Sequence, residues 1–339
     1  MTVGISSNAF ADSRITGTDL LSNGKFQNAS GEKAAGLSSF PKIMWRTMGE
    51  KSSDATPSQT IPVEPLTLSA MEKLEGTLAV KLGHSSILLR LNEGYWLMDP
   101  VFSERASPVQ WAGPKRFHEA PIELEALPDL EGVIISHDHY DHLDKDTILK
   151  LENRVKQFYV PLGVGKLMQT WGVAEDKITE LDWWESALHG DIKLVATPAQ
   201  HFSGRGLMDR NKTLWASWVI MTDSERFFFS GDSGYFDGFK TIGDRYGPFD
   251  LTFIETGAYH QEWANIHMFP EESVQAHKDL RGKWMVPVHN ATFDLALHAW
   301  YEPLERVIAA GKKHNQQVLT PKFGEILQLE SPEPRKPWW

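Results

Sequence analysis

The stretch that decides the fold is Ser136-His137-Asp138-His139-Tyr140-Asp141-His142-Leu143-Asp144. Within it, three histidines and an aspartate follow the pattern His-x-His-x-Asp-His. Residues 132–135 come just before and form a short, largely β-branched run that is typical of a buried strand. Because α/β folds keep their chemistry at the carboxyl edge of the sheet, these side chains are expected to point out of that edge. His137 and His139 can bind one cation, and Asp141 and His142 can bind a second. Imidazole and carboxylate together suit zinc, with iron and manganese as alternatives. The competing interpretation is a solvated polar loop in which three of the thirteen histidines meet by chance.

The composition is that of a soluble protein with a real core. The chain has 339 residues, of which 41% are hydrophobic and 23% charged. Its formal net charge of −11 argues against nucleic acid as the main partner, because phosphate backbones favour a basic surface. A small phosphate ester stays compatible, since metal ions bring positive charge of their own. The absence of cysteine excludes disulfides, thiolate ligands and a cysteine nucleophile.

Three regions differ in sequence character. Residues 1–75 are rich in Ser, Gly, Thr, Asn and Pro, and are expected to form a partly irregular N-terminal extension, either a disordered leader or an arm over one face. Within them, residues 40–48 are apolar enough for a short helix. Residues 76–330 carry the regular patterns of the main domain, and residues 331–339 are expected to be a loose tail unless Trp338 and Trp339 dock. No signal peptide or transmembrane segment is predicted, so a cytoplasmic protein is expected. The oligomeric state stays open, as does peripheral contact with a membrane.

The main domain is predicted to be a four-layer αβ/βα sandwich of the α/β class. Strands are predicted at residues 77–82, 86–91, 95–98, 132–135, 157–160, 192–197, 214–221, 226–229, 251–255 and 284–288, with a closing strand pair in 317–329. Helices are predicted at residues 144–150, 165–171, 270–280 and 303–314. A part rich in strands is followed by a part in which strands and helices are mixed, and this order occurs twice along the chain. Such an order suits two packed sheets with helices on their outer faces.

Three further candidate ligands follow other predicted strands. His201 comes after residues 192–197, Asp232 after 226–229 and His289 after 284–288. Each has an ordinary explanation on its own, because a lone histidine after a strand is most often a hydrogen-bonded rim residue and Gly-Asp-Ser-Gly is often only a turn. Their joint placement downstream of the histidine cluster predicts a single site at one edge of the sandwich.

These seven positions resemble the ligand pattern of the metallo-β-lactamase superfamily, over residues 76–330. Within that superfamily, three stretches are similar to the N-acyl phosphatidylethanolamine phospholipase D family: residues 99–108, residues 231–235, and His267-Met268-x-Pro270-Glu271-Glu272. Gly83-His84 is shared with that branch and with its sugar-lactonase cousins. The resemblance implies a metallo-β-lactamase-like hydrolase domain.

The resemblance also implies two divalent metal ions. The first would be held by His137, His139 and His201, the second by Asp141, His142 and His289, with Asp232 bridging them. One departure concerns the pocket wall, because family members often have Trp-Gly after the last histidine and this chain has Asn290-Ala291. The identity of the substrate therefore stays open.

The chemistry of two neighbouring metal ions follows from general principles, independently of the family resemblance. Two divalent cations about 3.5–4 Å apart share a hydroxide that is nucleophilic near neutral pH, and Asp141 can steer it. No Gly-x-Ser-x-Gly elbow is present to support a serine triad. His267 is the best candidate outside the ligand set: the resemblance places it at the substrate phosphate, where it can donate a hydrogen bond or a proton to the leaving oxygen. The alternative is a solvent-facing histidine at a helix start.

Other residues are weaker candidates. His84, Tyr259 and His260 are each as compatible with packing or the rim as with the pocket. Trp45 and the pair Trp183-Trp184 can form an apolar lip for acyl chains, although core filling is the more common use of tryptophan.

The sequence favours a dinuclear metal-dependent hydrolase, a phosphodiesterase of the phospholipase D type acting on a small or lipid-like diester. A lactonase or sugar-phosphate hydrolase of the ascorbate-lactonase branch is the alternative enzyme. A metal-binding regulatory protein with the same fold is the non-enzymatic alternative, and the complete ligand set opposes it. Nucleic-acid cleavage is disfavoured by the net charge.

Overall fold

The computed structural model describes residues 20–31, 49–92 and 94–339 of the chain. Its strands are β1 (Leu21–Ser22), β2 (Lys25–Phe26), β3 (Leu78–Gly83), β4 (Ser86–Leu91), β5 (Gly94–Met98), β6 (Leu130–Ile134), β7 (Val155–Pro161), β8 (Ile178–Leu181), β9 (Ser186–His189), β10 (Ile192–Thr197), β11 (Ser217–Met221), β12 (Arg226–Phe229), β13 (Phe249–Glu255), β14 (Gly282–Val288), β15 (Gln317–Val318) and β16 (Ile326–Gln328). Its α-helices are α1 (Leu68–Glu72), α2 (Lys145–Leu151), α3 (Val164–Trp171), α4 (Gly238–Tyr246), α5 (Pro270–Asp279) and α6 (Glu302–His314). The helix predicted at residues 40–48, and Trp45 with it, lie outside the described residues.

Fourteen of these strands form two sheets of seven. The first sheet has the order β16-β3-β4-β5-β6-β7-β8 and the second has the order β15-β14-β13-β12-β11-β10-β9. In each sheet one half is antiparallel and the other half is parallel: β16 to β5 and β9 to β12 alternate in direction, while β5 to β8 and β12 to β15 run together. The parallel strands bring their carboxyl ends to the same edge, where polar residues can meet.

Alternation of side chains along each strand builds the layers. In β12, Phe227 and Phe229 point into a cluster shared by both sheets, whereas Phe228 points to the outer face of the second sheet with helices α4 and α5. In β4, Leu89 joins the shared cluster and Leu88 joins the outer cluster of the first sheet with α2 and α3. Because both sheets are buried on both faces, the strands are apolar nearly throughout. The predicted four-layer sandwich is confirmed.

The end of the main domain departs from the predicted strand pair. Residues 317–329 do contain two strands, but β15 runs parallel to β14 in the second sheet while β16 runs antiparallel to β3 in the first. The segment therefore crosses from one sheet to the other, and the prediction of a closing pair is wrong. β15 forms its backbone hydrogen bonds at the edge of the second sheet and β16 forms them at the edge of the first, so the two strands do not pair with each other.

Both termini of the described chain pack on this framework. The hairpin β1–β2 buries Phe26 completely in the cluster between the sheets. At the other end, Trp338 donates from Nε1 to the carbonyl of Thr320 at 3.1 Å and packs against Phe323. Trp183 also belongs to the cluster between the sheets, where its indole donates to Trp215 O at 2.7 Å. Among the described helices, none combines the length and apolar character needed to cross a bilayer.

The strand that leads into the histidine motif contains a glycine for a steric reason. Gly132 of β6 pairs with Trp96 of β5, and a Cβ added at Gly132 would lie 2.4 Å from Trp96 Cζ3. Trp96 is fully buried and cannot move toward solvent. The tryptophan thus fills the space that a side chain at residue 132 would need.

We expect Gly132→Ala to lower the free energy of unfolding by about 1–3 kcal/mol, as overpacking of a dense core does. Chemical denaturation would measure the change. In a Trp96→Phe background the smaller ring leaves room for the new methyl group, so the same substitution should cost less. An equal cost in both backgrounds would contradict the steric explanation.

Candidate metal centre

The candidate ligands gather at one edge of the sandwich because each follows the end of a strand. The His137–His142 segment follows β6, His201 follows β10, Asp232 follows β12 and His289 follows β14. Asp144 closes the segment by capping α2, since its side chain accepts from Asp146 N. The structure thus brings together all seven residues that the sequence singled out as ligands.

The first cluster contains His137, His139, His201 and Asp232, whose potential ligand atoms all lie within 4.8 Å of one another. His137 Nε2 is 2.8 Å from His139 Nδ1, and His201 Nε2 is 3.3 Å from the same atom. Asp232 Oδ2 lies 3.8 Å from His137 Nε2 and 3.7 Å from His201 Nε2. Ligands around a tetrahedral zinc ion stand about 3.3 Å apart, given its usual bond lengths. The cluster therefore has the dimensions of a single metal position.

The second cluster contains His84, Asp141, His142 and His289. Asp141 Oδ2 lies 3.2 Å from His289 Nε2 and 3.5 Å from His142 Nε2. Asp232 also reaches this cluster, because its Oδ1 is 3.1 Å from His142 Nε2 and its Oδ2 is 3.1 Å from His289 Nε2. Asp232 is thus the one residue of the seven whose carboxylate contacts both clusters.

Two buried atoms test whether these residues fit a metal. His142 Nε2 and Asp232 Oδ1 are both buried and only 3.1 Å apart, yet neither makes a hydrogen bond. A buried polar atom without a partner is costly. Both atoms belong to residues that could hold a metal ion, and a cation shared between them would supply the partner that each lacks. The donor set and its geometry therefore fit metal ions.

Hydrogen bonds behind the clusters fix which ring nitrogen faces inward. Asp99, which is fully buried, accepts from His142 Nδ1 at 2.6 Å and from Ser136 Oγ at 2.5 Å. Ser136 Oγ in turn accepts from His137 Nδ1 at 2.9 Å. His201 donates from Nδ1 to the carbonyl of Ile266 at 3.0 Å. In each of these histidines the hydrogen bond places a proton on Nδ1, so Nε2 is the ring nitrogen that faces inward and can bind a metal once it is deprotonated.

The electrostatics of the centre follow from burial and the two carboxylates. Burial lowers the pKa of His137, His139 and His201, which keeps these imidazoles neutral. Burial alone would raise the pKa of Asp232, but His142 and His289 beside it hold that pKa well below the usual range. The effect is mutual: burial would lower the pKa of His289, yet Asp232 raises it to about 10. Protons on these two histidines balance the buried carboxylates until a cation replaces them, so metal binding releases protons.

His267 lies beside the two clusters rather than at a solvent-facing helix start. Its ring centroid is 5.1 Å from that of His201 and 5.2 Å from that of His289, and its side chain is 14% exposed. Nδ1 of His267 is hydrogen bonded to Oε1 of Glu255, and Glu255 Oε2 accepts from Ser233 N at 2.9 Å. Glu255 is fully buried, and burial raises its pKa. Since Glu255 occupies Nδ1, Nε2 is the ring nitrogen left to meet a substrate.

The weaker candidates separate in space. His84 is buried in the centre, with Nε2 3.0 Å from Asp141 Oδ2 and its ring 4.0 Å from that of His289. Tyr259 instead donates to Glu302 Oε1 at 2.7 Å, and His260 pairs with Glu50 at 3.0 Å. These two residues are therefore engaged in contacts outside the clusters.

Asn290, at the position where the family often has tryptophan, is built into the scaffold. Its Oδ1 accepts from Lys81 Nζ at 2.7 Å, and its Nδ2 donates to the carbonyl of Val288 at 2.8 Å. Lys81 is buried, and burial lowers its pKa to about 7. The Lys81–Asn290 pair thus holds the turn that carries His289.

Three supporting residues were missed from the sequence. Asp99 stands in the sequence analysis only as the first residue of the stretch 99–108, and Glu255 only as the last residue of the predicted strand 251–255. Asn28 lies in the extension, yet its side chain exchanges two hydrogen bonds of 3.0 Å with the backbone of His201. An acidic residue at the carboxyl end of a buried strand was the available signal for Asp99 and Glu255. No local signal marks Asn28.

Comparison with known proteins now assigns the family. Residues 95–290 match the model of the Beta-lactamase superfamily domain. The chain is 38% identical over 291 residues to N-acyl-phosphatidylethanolamine-hydrolyzing phospholipase D 1 of Caenorhabditis elegans, covering 80% of this chain and 81% of that protein. The chain belongs to the metallo-β-lactamase superfamily. It is also 43% identical over 305 residues to Uncharacterized protein Rv0906 of Mycobacterium tuberculosis, covering 88% of this chain and 80% of that protein.

Solved structures agree on the fold. The isothiocyanate hydrolase from Delia radicum gut bacteria aligns with a TM-score of 0.58 and 18% identity, over 74% of this chain and 98% of that one. Igni18, a metallo hydrolase of Ignicoccus hospitalis, aligns with a TM-score of 0.56 and 21% identity, over 74% of this chain and 97% of that one. The predicted membership of the superfamily and resemblance to the phospholipase D branch are confirmed. The chain is a member of a superfamily of metal-dependent hydrolases with clusters able to bind metal.

We expect Asp232→Ala to lose at least one metal ion per chain, because this carboxylate contacts both clusters. Elemental analysis of the purified protein would measure the loss. Asp237→Ala is the matched control: Asp237 is exposed, lies five positions away and makes no capping hydrogen bond with its side chain. Wild-type metal content in Asp232→Ala would remove the shared carboxylate from the centre.

Proposed function

We propose that the chain is a dinuclear metal-dependent phosphodiesterase that cleaves lipid-like diesters, as a phospholipase D does. The observation that carries the proposal is the position of Asp232 between two clusters that each have the size of a metal position. The activity for which the Caenorhabditis elegans relative is named, hydrolysis of N-acyl-phosphatidylethanolamine, supports a phosphodiester substrate. Both clusters contain all of their candidate metal ligands, which argues against a regulatory protein that has lost catalytic activity.

In this proposal His137, His139 and His201 hold one cation, Asp141, His142 and His289 hold the other, and Asp232 is shared. Zinc suits the mixture of imidazole and carboxylate. When bound, the two cations would acidify a water molecule and neutralise charge on the phosphate oxygens. A diester carries a single negative charge, so such a pair can balance it without further cationic side chains.

Two residues act directly on the reactants. Asp141 is the more open of the two carboxylates, with 15% of its side chain exposed against 2% for Asp232, so it can orient the incoming water. His267 Nε2 donates a proton to the leaving oxygen as the bond from phosphorus to that oxygen breaks, while the water supplies the new oxygen on phosphorus. Glu255 fixes the orientation of the His267 ring through the hydrogen bond at Nδ1, so Nε2 is the nitrogen that meets the leaving oxygen.

The substrate class is tested with protein loaded with zinc, manganese or iron. We expect hydrolysis of bis-nitrophenyl phosphate, slower hydrolysis of the monoester, and loss of both with a chelator. Sugar lactones form the competing arm of the panel. Turnover of lactones without any diester would establish the lactonase function instead.

The role of His267 is tested by the dependence on the leaving group. His267→Ala should retain metal and lose about 10²–10⁴-fold in turnover of a diester with an alkyl leaving group, since such a group needs a proton. The loss should shrink for nitrophenolate, which leaves without one. Glu255→Gln should show a smaller loss with the same dependence.

His260→Ala is the control, because His260 pairs with Glu50 outside the clusters. Equal losses for both leaving groups in His267→Ala would limit His267 to holding the substrate. Unchanged rates in His267→Ala would return it to a structural role.

A further inference from the structure

The first cluster depends on a ligand that lies beyond the end of its strand. β10 ends at Thr197 and β11 begins at Ser217, and His201 lies in the irregular segment between them. The backbone of His289, by contrast, is held within the main domain, because its N–H donates to the carbonyl of His84 at 3.0 Å. Strand pairing does not fix the backbone of His201, so its position depends on contacts from other parts of the chain.

Asn28 supplies these contacts through both ends of its side-chain amide. Its Oδ1 accepts from His201 N at 3.0 Å, and its Nδ2 donates to the carbonyl of His201 at 3.0 Å. An amide bonded in this way pairs with one residue as a neighbouring strand would. Both residues are buried, so loss of the amide would leave a buried N–H and a buried carbonyl of His201 without these partners, which is costly.

The amide of Asn28 has a single orientation in this site. Its Oδ1 also accepts from Trp215 Nε1 at 3.0 Å, and Trp215 is only 1% exposed. Because an indole N–H can only donate, Oδ1 is the atom that faces both Trp215 and the N–H of His201. The pairing is therefore specific to asparagine. An aspartate would place its second oxygen against the carbonyl of His201, and an alanine would offer neither atom.

The hairpin β1–β2 brings Asn28 to this position. Phe26, the last residue of β2, is completely buried in the cluster between the sheets. Its N–H donates to the carbonyl of Asn211 at 2.8 Å, and its own carbonyl accepts from Asn211 Nδ2 at 3.1 Å. Residues 20–31 thus form an arm that is anchored on the main domain two positions before Asn28.

The ring of His201 is held separately from its backbone. Nδ1 donates to the carbonyl of Ile266 at 3.0 Å, which leaves Nε2 to lie 3.3 Å from His139 Nδ1 and 3.7 Å from Asp232 Oδ2. The bond to Ile266 fixes the tautomer, whereas the bonds to Asn28 fix the backbone from which the ring extends. The position of Nε2 relative to the other ligands therefore depends on both contacts.

The arm lies outside the part of the chain that defines the superfamily. The superfamily model matches residues 95–290, and all seven candidate ligands lie within that range. The contact that holds the backbone of His201 is instead supplied by residues 20–31. The first cluster is thus completed by a segment that carries no ligand of its own.

We propose that Asn28 is a positioning residue of the first metal site and that residues 20–31 are an integral part of that site. Asn28 acts through His201 and raises the affinity of the first cluster for its cation. The effect is selective, because among the described residues Asn28 forms no hydrogen bond with a ligand of the second cluster. This inference rests on the proposed function, since that function places a cation in the first cluster.

The test measures zinc per chain in proteins equilibrated against chelators that set the free zinc concentration. In Asn28→Ala, one of the two ions should need a free zinc concentration about 10–100-fold higher than in the wild type, the usual effect of losing a contact that orients a metal ligand. The other ion should bind as in the wild type. Asn28→Asp should show a loss of the same order, because its second oxygen faces the carbonyl of His201.

A double-mutant cycle checks that Asn28 acts through His201. In a His201→Ala background, Asn28→Ala should cause no further loss of zinc affinity, because the ligand that Asn28 positions is gone. In a His289→Ala background the full loss should persist, because His289 belongs to the second cluster. A loss that persists without His201 would overturn the proposal.

Asn211→Gly is the matched control, because it loosens the arm without touching Asn28. It removes the bond from Asn211 Nδ2 to Phe26, and glycine tolerates the positive φ of 59° at this position. Wild-type zinc affinity is expected, while thermal unfolding without metal reports the stability of each variant. Unchanged zinc affinity in both Asn28 variants would overturn the proposal. An equal loss in Asn211→Gly would also overturn it, because the arm would then support the fold in general.

Turnover of bis-nitrophenyl phosphate, measured on the same preparations, separates this inference from the proposed function. Zinc affinity that depends on Asn28 in a protein that cleaves no diester would keep the positioning role and remove the phosphodiesterase. Diester hydrolysis by the wild type, with unchanged zinc affinity in the Asn28 variants, would do the reverse.

Discussion

Asp232 carries a negative charge at a position that is 3% exposed, and the rest of the centre is arranged around that burial. An isolated buried carboxylate is strongly unfavourable, so it needs partners of opposite charge close by. In the absence of metal, protonated His142 and His289 provide this positive charge. A pair of cations would provide more of it, because burial holds the neighbouring His137 and His201 neutral. Oδ1 of Asp232 meets His142 of the second cluster, whereas Oδ2 meets His289 of the second cluster and also His137 and His201 of the first.

The fold meets this requirement by bringing strand ends from both sheets to one edge. Gly231, just before Asp232, has a positive φ of 54°, and a Cβ there would lie 2.5 Å from the Cβ of Ser136. Only glycine allows β12 of the second sheet to end that close to the motif that follows β6 of the first. Ser136 in turn links Asp99 to His137. The Gly-Asp pair is therefore a contact between the sheets as well as a source of a ligand.

The sequence predicted the parts of the centre that have a local pattern. All seven candidate ligands follow apolar strands, and that regularity was sufficient to place them at one edge. Asp99 and Glu255 were missed because their partners, His142 and His267, are far away in sequence, and a strand ending in an acid has many ordinary causes. The strands β8 and β9 were missed because they are short and lie at sheet edges: three of the four side chains of β8 are half-buried, and two of the four in β9 are exposed. The closing pair was wrong because neighbouring strands usually pair with each other, whereas β15 and β16 complete different sheets.

Side-chain alternation in the histidine motif has a consequence for how the centre works. His137 and His139 face the metal clusters, whereas Asp138 and Tyr140 face the loop of residues 202–213 and hold its backbone. The loop is also covalently continuous with the ligand His201. The loop and the segment that carries His137 and His139 are thus held to each other by hydrogen bonds at Asp138 and Tyr140.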